Sequence, residues 1–261
     1  MVPEDTINRY DERLGGLEGV SLSRRSAFLG VFRRGKQPTR DFEARVFAMQ
    51  GHVDVTRQKY TMTARDRAAQ KQQVPVVVWL TGLPGSGKST LADAVERRLN
   101  SYGMHTMVLD GDNVRSGLNN DLSFTPADRH ENVRRVGEVA RLLCDAGLIT
   151  IVALVSPFEE DRAIARSLFD PGDFIEVFVE TPPEVCAERD PKGLYKKAAA
   201  GQITNLTGVG QGYEPPAAAE VHAHGDGDLD ANADLVLEAI LSRQVVEVAS
   251  DVSEVDASAR T

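Results

Sequence analysis

The sequence is poor in cysteine and contains no long apolar run. Its two cysteines, Cys144 and Cys186, are too few for a disulfide scaffold, and both fall in apolar-periodic segments that predict buried free thiols. The longest apolar stretches, residues 74–80 and 148–155, have seven or eight residues, whereas a membrane-spanning helix needs about 20. No basic segment followed by an apolar core opens the chain, as a secretory signal would. These observations predict a cytoplasmic protein without a membrane segment.

Basic residues are outnumbered by acidic ones and are unevenly distributed along the chain. The chain has 30 Lys and Arg against 39 Asp and Glu, a net charge of −9, which argues against a dedicated nucleic-acid-binding protein. Residues 1–73 nevertheless carry 14 basic and 9 acidic side chains, and residues 21–40 contain six basic side chains and no acid. Residues 1–50 are therefore predicted to be a basic N-terminal extension. It is either a solvated, flexible arm or a docking element for an acidic partner.

From Val74 onward, short apolar runs alternate with segments of helical periodicity. This alternation is typical of an α/β fold in which a parallel sheet is flanked by helices on both faces. The predicted strands are residues 76–80, 106–109, 148–155 and 174–179. Helices are predicted after the glycine-rich turn, from Thr125 with a capping box, from Thr181 with a cap, and over residues 232–245. Residues 190–216 are predicted to form a long functional loop, and residues 247–261 a disordered acidic tail.

One stretch matches a phosphate-binding loop. Residues 82–89 read Gly-Leu-Pro-Gly-Ser-Gly-Lys-Ser between an apolar strand and an amphipathic helix, which fits G-x-x-x-x-G-K-[ST]. The glycines let backbone N–H groups converge on phosphates, and the helix N-terminus adds a favourable dipole. Lys88 is predicted to reach the β- and γ-phosphates of a nucleoside triphosphate, and Ser89 to hold Mg²⁺. The predicted nucleotide-binding residues are Gly82, Leu83, Pro84, Gly85, Ser86, Gly87, Lys88, Ser89 and Thr90.

Charged side chains follow the second predicted strand, in the string Asp110-Gly111-Asp112-Asn113-Val114-Arg115. Open α/β sheets bind ligands at the carboxyl edge of their strands. A carboxylate there can accept a hydroxyl proton or orient Mg²⁺, and Arg115 can bind an anionic group. The same string also fits an Asx turn that leads into a helix, so by itself it does not assign a reaction.

Several longer strings occur in the order found in adenylyl-sulfate kinases. They are residues 82–90, LDGDNVRSGL at 109–118, DRHENVRRVGEVA at 128–140, DAGLI at 145–149, the Val-Ser-Pro of 155–157 and RDPKGLYKKA at 189–198. Thr207-Gly208 and Tyr213-Glu214-Pro215 continue the series. The sequence therefore resembles the adenylyl-sulfate kinase family from about Gly51 to about Val245. The resemblance implies a P-loop kinase domain over residues 51–246.

The resemblance implies transfer of the γ-phosphoryl group of ATP to the 3′-hydroxyl of adenylyl sulfate, with Mg²⁺ as cofactor, and a homodimer. It implies catalytic roles for Asp110, Lys88 and Ser156, and metal contacts from Ser89 and Asp110. Asp112 is the alternative to Asp110 as the base. The implied substrate-binding residues are Asp112, Asn113, Val114, Arg115, Phe124, Arg129, Asn132, Val155, Ser156, Lys192, Asn205 and Leu206.

The chemistry of these residues suits the substrate, with one departure from the family pattern. A phosphate and a sulfate match Arg115, Arg129 and Lys192, and Phe124 offers a face on which adenine can stack. Leu206 stands where family members usually have Phe, and losing one stacking partner costs roughly 1 kcal/mol or more. No base is identifiable beside Ser156, so a positioning role is predicted for it rather than a covalent intermediate.

Two other functions remain compatible with the sequence. One is a different small-molecule P-loop kinase whose acceptor differs because of Leu206. The other is a nucleotide-binding regulatory module attached to ATP sulfurylase through the basic extension. A degenerate module would lose phosphate-loop residues, whereas Lys88, Ser89 and both aspartates of the DGD string are present. An active kinase is therefore the favoured prediction, and an association with ATP sulfurylase stays open.

Overall fold

The computed structural model describes residues 58–258, and its side chains are described for residues 58–244. The predicted basic extension, residues 1–50, and its docking role lie outside the described residues. The chain divides into two units between Thr61 and Met62. The second unit contains the sheet and the phosphate loop.

Five strands form one sheet in the described part of the chain: β1 (Val77–Thr81), β2 (Thr106–Asp110), β3 (Ile149–Ala153), β4 (Phe174–Glu180) and β5 (Val221–His224). The order is β2-β3-β1-β4-β5, and each neighbouring pair is parallel. Every residue of β1 and β3 is buried. Such burial on both faces explains why these strands read as continuous apolar runs rather than as alternating patterns.

The described residues form eight helices: α1 (Ala64–Lys71), α2 (Lys88–Ser101), α3 (Gly111–Ser116), α4 (Pro126–Asp145), α5 (Glu159–Arg166), α6 (Pro183–Arg189), α7 (Leu194–Ala199) and α8 (Leu229–Ser258). Helices α2 and α4 both contact β1, β2 and β3, while α2 also packs with α8 and α4 with α5. The sheet therefore carries helices on both faces, which confirms the predicted α/β fold. Over residues 58–258, no helix has the length and apolar composition to cross a membrane.

The strand order places the phosphate loop at a switch point. The chain passes from β1 to β2, returns to β3 between them, and then crosses to β4 on the other side of β1. Open α/β sheets bind ligands outside the carboxyl ends of their strands at such a reversal. The loop that follows β1 lies there, as does Asp110 at the end of β2.

After β4, the structure departs from the sequence prediction at one strand and one helix. Strand β5 was not predicted, because its four residues, Val-His-Ala-His, give too short an alternation of buried and exposed positions. Helix α8 begins at Leu229 and continues through Ser258, so residues 247–258 are helical rather than a disordered tail. No glycine or proline interrupts residues 229–258, and nothing else in the sequence ends the helix at Val245.

Two predicted caps and one predicted loop also need correction. The Thr125 side chain caps α4 by accepting a hydrogen bond from the Asp128 N–H. A complete capping box also needs the Asp128 carboxylate to accept the Thr125 backbone N–H, but this carboxylate accepts the Thr125 hydroxyl instead, at 2.8 Å. Thr181 does not cap α6, which begins at Pro183 without a side-chain cap. Its hydroxyl donates instead to the Ser86 carbonyl at 2.9 Å. Residues 190–216 are not one loop, since they contain α7.

Candidate functional site

The phosphate loop is held tightly against neighbouring backbone. Gly82 has a φ of 152°, and a Cβ there would lie 2.6 Å from the Val179 carbonyl oxygen of β4. Gly85 has a φ of 79°, and a Cβ there would lie 3.0 Å from the Cys186 carbonyl oxygen. Both positions combine close backbone approach with a conformation that favours glycine. The hydrogen bond from the Thr181 hydroxyl to the Ser86 carbonyl also stabilises this loop.

The Lys88 ammonium lies inside the loop. Its Nζ donates to the Gly82 carbonyl at 2.9 Å and to the Leu83 carbonyl at 2.7 Å, with the Ser86 hydroxyl at 3.3 Å. Burial lowers the pKa of Lys88 to about 7, although the nearby Cys186 and Asp110 act to raise it. An anion bound at the loop would favour the charged form and raise this pKa again.

The two predicted metal contacts lie side by side. Ser89 is the second residue of α2, and its hydroxyl donates to Asp110 Oδ2 at 2.6 Å. The other carboxylate oxygen of Asp110 accepts the Asp112 N–H at 3.0 Å and caps α3. A hydroxyl and a carboxylate beside a phosphate loop are the hard oxygen donors that Mg²⁺ takes together with substrate phosphates. The donor set therefore fits Mg²⁺. In the described residues, no cluster of three or more His, Cys, Asp or Glu could hold a metal by itself.

An ion pair joins the DGD string to the segment that follows α6. Lys192 pairs with Asp112, and both side chains are more than half exposed. Tyr195 of the same segment donates its hydroxyl to the Pro84 carbonyl of the phosphate loop at 3.0 Å. Burial raises the pKa of Tyr195, which keeps this hydroxyl a donor. Residues 190–195 thus contact both the phosphate loop and the Asp112 carboxylate.

Phe124 presents an exposed ring flanked by two guanidinium groups. Its side chain is 54% exposed. The Arg115 Cζ lies 4.6 Å from the ring centroid and the Arg129 Cζ 5.5 Å from it. Arg129 also donates to the Phe124 carbonyl and, from α4, to the Asn205 carbonyl, both at 3.1 Å. Asn205 returns a bond from its side-chain nitrogen to the Phe124 carbonyl at 3.0 Å. This cluster offers an aromatic face beside two cations.

One cavity of about 930 Å³ brings most predicted site residues together. From the predicted set, its lining includes Pro84, Gly85, Gly87, Lys88, Ser89, Thr90, Asp110, Asp112, Arg115, Phe124, Arg129, Asn132, Val155, Ser156, Lys192, Asn205 and Leu206. Gly82, Leu83 and Ser86 do not line it; each of them instead accepts a hydrogen bond from the Lys88 ammonium.

Asn113 and Val114 also fall outside the lining. They share α3 with Asp112 and Arg115, which are three residues apart and so lie on one face of the helix. Val114 packs against the core cluster of α4 and the sheet, while Asn113 is exposed.

Ser156 lies at the cavity wall in a constrained backbone conformation. Its φ is 36°, in the left-handed region. Its Oγ is buried and accepts the Trp79 indole N–H at 3.1 Å, and its carbonyl accepts from Arg162. No base bonds to this hydroxyl among the described residues. The geometry is that of a fixed wall residue rather than an activated nucleophile.

Sequence reasoning missed several residues that organise this wall. Arg162 is 3% exposed and bonds the Ser156 carbonyl. Thr81 donates to the Val155 carbonyl at 2.8 Å and meets the Tyr213 hydroxyl at 2.9 Å. The two Thr81 contacts join residues 74 and 132 positions apart, so no local sequence pattern predicts them. The only signal in the sequence was an arginine, next to Asp161, at a position of α5 that faces the core.

A model of the adenylylsulphate kinase family matches residues 74–224. The adenylyl-sulfate kinase of Shewanella pealeana is 52% identical over 195 residues, which cover 74% of this chain and 95% of that protein. The bifunctional enzyme NodQ of Rhizobium meliloti is 54% identical over 179 residues, 69% of this chain. The chain spans only 28% of that relative and a quarter to a third of the other NodQ proteins that it matches.

Solved structures agree with the family match. The Mycobacterium tuberculosis APS kinase CysC, solved in complex with AMPPNP and APS, superposes with a TM-score of 0.62 at 48% identity, over 64% of this chain and 98% of that one. A hexameric APS kinase from Thiobacillus denitrificans gives a TM-score of 0.50 at 27% identity, over 67% of this chain and 30% of that one. Because the family model covers more than half of the sequence, and a relative covered almost end to end is half identical, the chain belongs to the adenylylsulphate kinase family.

Proposed function

We propose that this protein transfers the γ-phosphoryl group of ATP to the 3′-hydroxyl of adenylyl sulfate, giving 3′-phosphoadenylyl sulfate and ADP. One observation carries the proposal. The same cavity holds a phosphate loop with its lysine, two carboxylates, and an aromatic ring flanked by two arginines. The S. pealeana relative carries the name of this activity, and the M. tuberculosis relative was solved with an ATP analogue and APS together.

The donor half of the proposal uses the loop and Lys88. ATP phosphates lie against the backbone of residues 82–90, and the Lys88 ammonium exchanges its carbonyl partners for the β- and γ-phosphate oxygens. Ser89 and Asp110 would hold Mg²⁺, which would neutralise charge on the phosphates. The lowered pKa of Lys88, about 7, means that binding an anion here also charges the lysine.

The acceptor half uses Asp110 and the Phe124 cluster. Adenine of adenylyl sulfate stacks on Phe124, and Arg115 and Arg129 lie beside the ring to pair with phosphate and sulfate oxygens. Asp110, at the edge of β2, accepts the proton of the 3′-hydroxyl as that oxygen attacks phosphorus. Lys192 and Asp112, which form an ion pair, line the same cavity. Ser156 contributes a fixed wall and no covalent intermediate, since in-line transfer needs little covalent help from the protein.

Location and assembly complete the proposal. A reaction that consumes ATP, in a protein whose cysteines Cys144 and Cys186 are free thiols, fits the cytoplasm. We also propose a homodimer and an association with ATP sulfurylase. The hexameric state named for the T. denitrificans relative supports assembly of this family in general. Light scattering of the purified protein, alone and with ATP sulfurylase, tests both.

A direct assay tests the reaction. Purified protein is incubated with ATP, Mg²⁺ and adenylyl sulfate, and nucleotides are separated by chromatography. We expect equal amounts of ADP and 3′-phosphoadenylyl sulfate. Adenosine 5′-monophosphate, which keeps the 3′-hydroxyl but lacks the sulfate, is the matched control and should react far more slowly. Phosphorylation of another hydroxyl compound in preference to adenylyl sulfate would contradict the proposal and favour a different P-loop kinase.

A further inference from the structure

Arg162 is a buried cation whose donors point in three directions. It lies on α5 with 3% exposure. Its Nε donates to Glu176 Oε1 of β4 at 2.8 Å. Its Nη1 donates to the Ser156 carbonyl and its Nη2 to the Glu214 carbonyl, also at 2.8 Å. One guanidinium therefore bonds two separate backbone segments and a carboxylate at once, which only the planar fork of arginine allows.

The two segments that Arg162 joins are also joined by their own contacts. The Glu214 N–H donates to the Pro157 carbonyl at 2.8 Å, and the Glu214 carboxylate accepts the Glu159 N–H at 2.7 Å. The Arg162 Cζ lies 5.9 Å from the Tyr213 ring centroid. We call Arg162, Tyr213 and Glu214, with Ser156 and Pro157, the Arg162 clasp.

Thr81 extends the clasp to the end of β1. A hydroxyl has one hydrogen, and that of Thr81 is directed to the Val155 carbonyl at 2.8 Å. The Tyr213 hydroxyl, 2.9 Å away, is then the donor to Thr81. Burial raises the pKa of Tyr213 to about 12, so the phenol keeps its proton and stays a donor.

Both clasped segments are continuous with the walls of the cavity. Val155, Ser156 and Pro157 line it, and so do residues 202–206, which end seven residues before Tyr213 in the chain. Ser156 has a φ of 36°, a strained backbone conformation that persists only where surrounding contacts fix it. Arg162 supplies one of the bonds that fix it. None of the Arg162 contacts involves the phosphate loop.

We propose that Arg162 is a positioning residue that fixes the distance between the Ser156 wall and the wall of residues 202–206, and so determines how tightly the acceptor binds. It touches no substrate and acts through two backbone carbonyls. Losing it should therefore loosen the acceptor side while the phosphate loop keeps its shape. This inference rests on the proposed function for the identity of the acceptor.

The chain offers a matched control one turn along α5. Arg166 bonds the other oxygen of Glu176 at 3.2 Å and pairs with Glu220 at 2.7 Å, and neither of these residues lines the cavity. Arg162→Met leaves Glu176 paired with Arg166, and Arg166→Met leaves it paired with Arg162. The two variants thus remove one cation each from the same carboxylate. Arg162→Lys, which keeps the charge but loses the fork, is the second test variant.

Kinetics at a temperature well below the melting point of each variant give the first readout. We expect Arg162→Met to raise the KM for adenylyl sulfate about tenfold to hundredfold, the effect of losing hydrogen bonds to a charged group. The KM for ATP should change by no more than about twofold, and Arg162→Lys should be intermediate. Arg166→Met should leave both KM values within about twofold of the parent. An equal rise in both KM values, or the same rise in Arg166→Met, would overturn the proposal.

Amide hydrogen exchange gives a second readout that needs no substrate. Arg162→Met should accelerate exchange in peptides covering residues 154–160 and 202–216, and Arg166→Met should not. If the parent protein fails to phosphorylate adenylyl sulfate, the proposed function is wrong, and the exchange pattern alone then decides whether Arg162 positions these walls. Unchanged exchange in both peptides would refute the clasp whatever the substrate.

Discussion

The donor and acceptor sides of the cavity are built in different ways. The donor side is nine consecutive residues, 82–90, whose lysine finds its partners two to six residues away. The acceptor side joins residues far apart in sequence: Arg129 reaches Asn205 across 76 residues, and Lys192 reaches Asp112 across 80. A local site is specified once its strand–loop–helix unit forms, whereas a distributed one depends on the packing of the whole domain.

This difference predicts two kinds of response to substitution. On the donor side, each residue has one chemical task, and its loss should affect the rate strongly. On the acceptor side, binding is divided among Phe124, two arginines and a wall fixed through Arg162, so single changes in these groups should alter KM by graded amounts. Asp110 is the exception on that side, because it is the proposed base and its loss should reduce the rate itself. The following variants test that division, from the largest expected effect to the smallest.

Asp110→Asn should cause the largest loss. Asparagine keeps the shape and can still cap α3, but it cannot accept the 3′-hydroxyl proton, and general-base catalysis is worth about 10²–10⁴-fold. Steady-state kinetics should show this loss in kcat, with ATP binding changed much less. Asp112→Asn is the matched control and should raise the KM for adenylyl sulfate by breaking the ion pair with Lys192. A larger kcat loss in Asp112→Asn would assign the base to Asp112 instead.

Lys88→Met should reduce kcat/KM by about 10²–10³-fold, the range for removing one preorganised donor to a transition-state oxygen. Methionine has a similar length, and the Lys88 ammonium bonds loop carbonyls rather than core side chains. Circular dichroism should therefore show an intact fold. Activity within tenfold of the parent would show that the loop binds phosphate without its lysine.

The pKa of Lys88 predicts proton uptake on nucleotide binding. With a pKa of about 7 in the free protein, Lys88 is mostly neutral at pH 8.5 and mostly charged at pH 6. Bound phosphates favour the charged form, so binding above pH 7 must take up nearly one proton. Affinity should then fall by up to about tenfold for each pH unit above 7.

Calorimetry with AMPPNP and Mg²⁺, in two buffers of different ionisation enthalpy, measures this uptake directly. Lys88→Met is the control, because any uptake that remains in it belongs to the nucleotide or to other groups. Equal uptake by parent and variant at pH 8.5 would mean that Lys88 is already charged in the free protein.

The same contrast explains which parts of the fold the sequence predicts. The largely buried strands β1, β3 and β4, and the phosphate loop between β1 and α2, are local patterns and were found. Strand β2 was also found from its short apolar run, although only Leu109 of its five residues is buried. Strand β5 was missed because only Val221 and Ala223 of its four residues are buried. The cap assigned to Thr181 was wrong because its hydroxyl has a better partner 95 residues away, the Ser86 carbonyl.

The candidate site follows the same division. Lys88, Ser89 and Asp110 could be named from motifs, since the first two lie in the loop and helix after β1 and Asp110 is the last residue of β2. Arg162 could not, because its role comes from Ser156, six residues before it, and Glu214, 52 residues after it. No single-sequence pattern encodes that pairing. The resemblance to a family supplied Asn205 and Phe124, whose mutual contact over 81 residues only the folded chain shows.

Leu206→Phe should have the smallest effect and tests whether the acceptor side tolerates a second aromatic wall. Leu206 lines the cavity but is only 5% exposed. A ring that turns into the cavity would stack on adenine opposite Phe124, and the KM for adenylyl sulfate should fall several-fold, the size of one aromatic pair.

A ring that stays in the buried position of Leu206 would be overpacked, which costs typically about 1–3 kcal/mol. The melting temperature distinguishes the two cases, because a ring in the cavity leaves it nearly unchanged. Leu206→Met, similar in volume and without a ring, is the control and should change neither quantity much. A lower melting temperature with an unchanged or higher KM would mean that Leu206 serves the packing of residues 204–211 and that Phe124 alone binds the adenine.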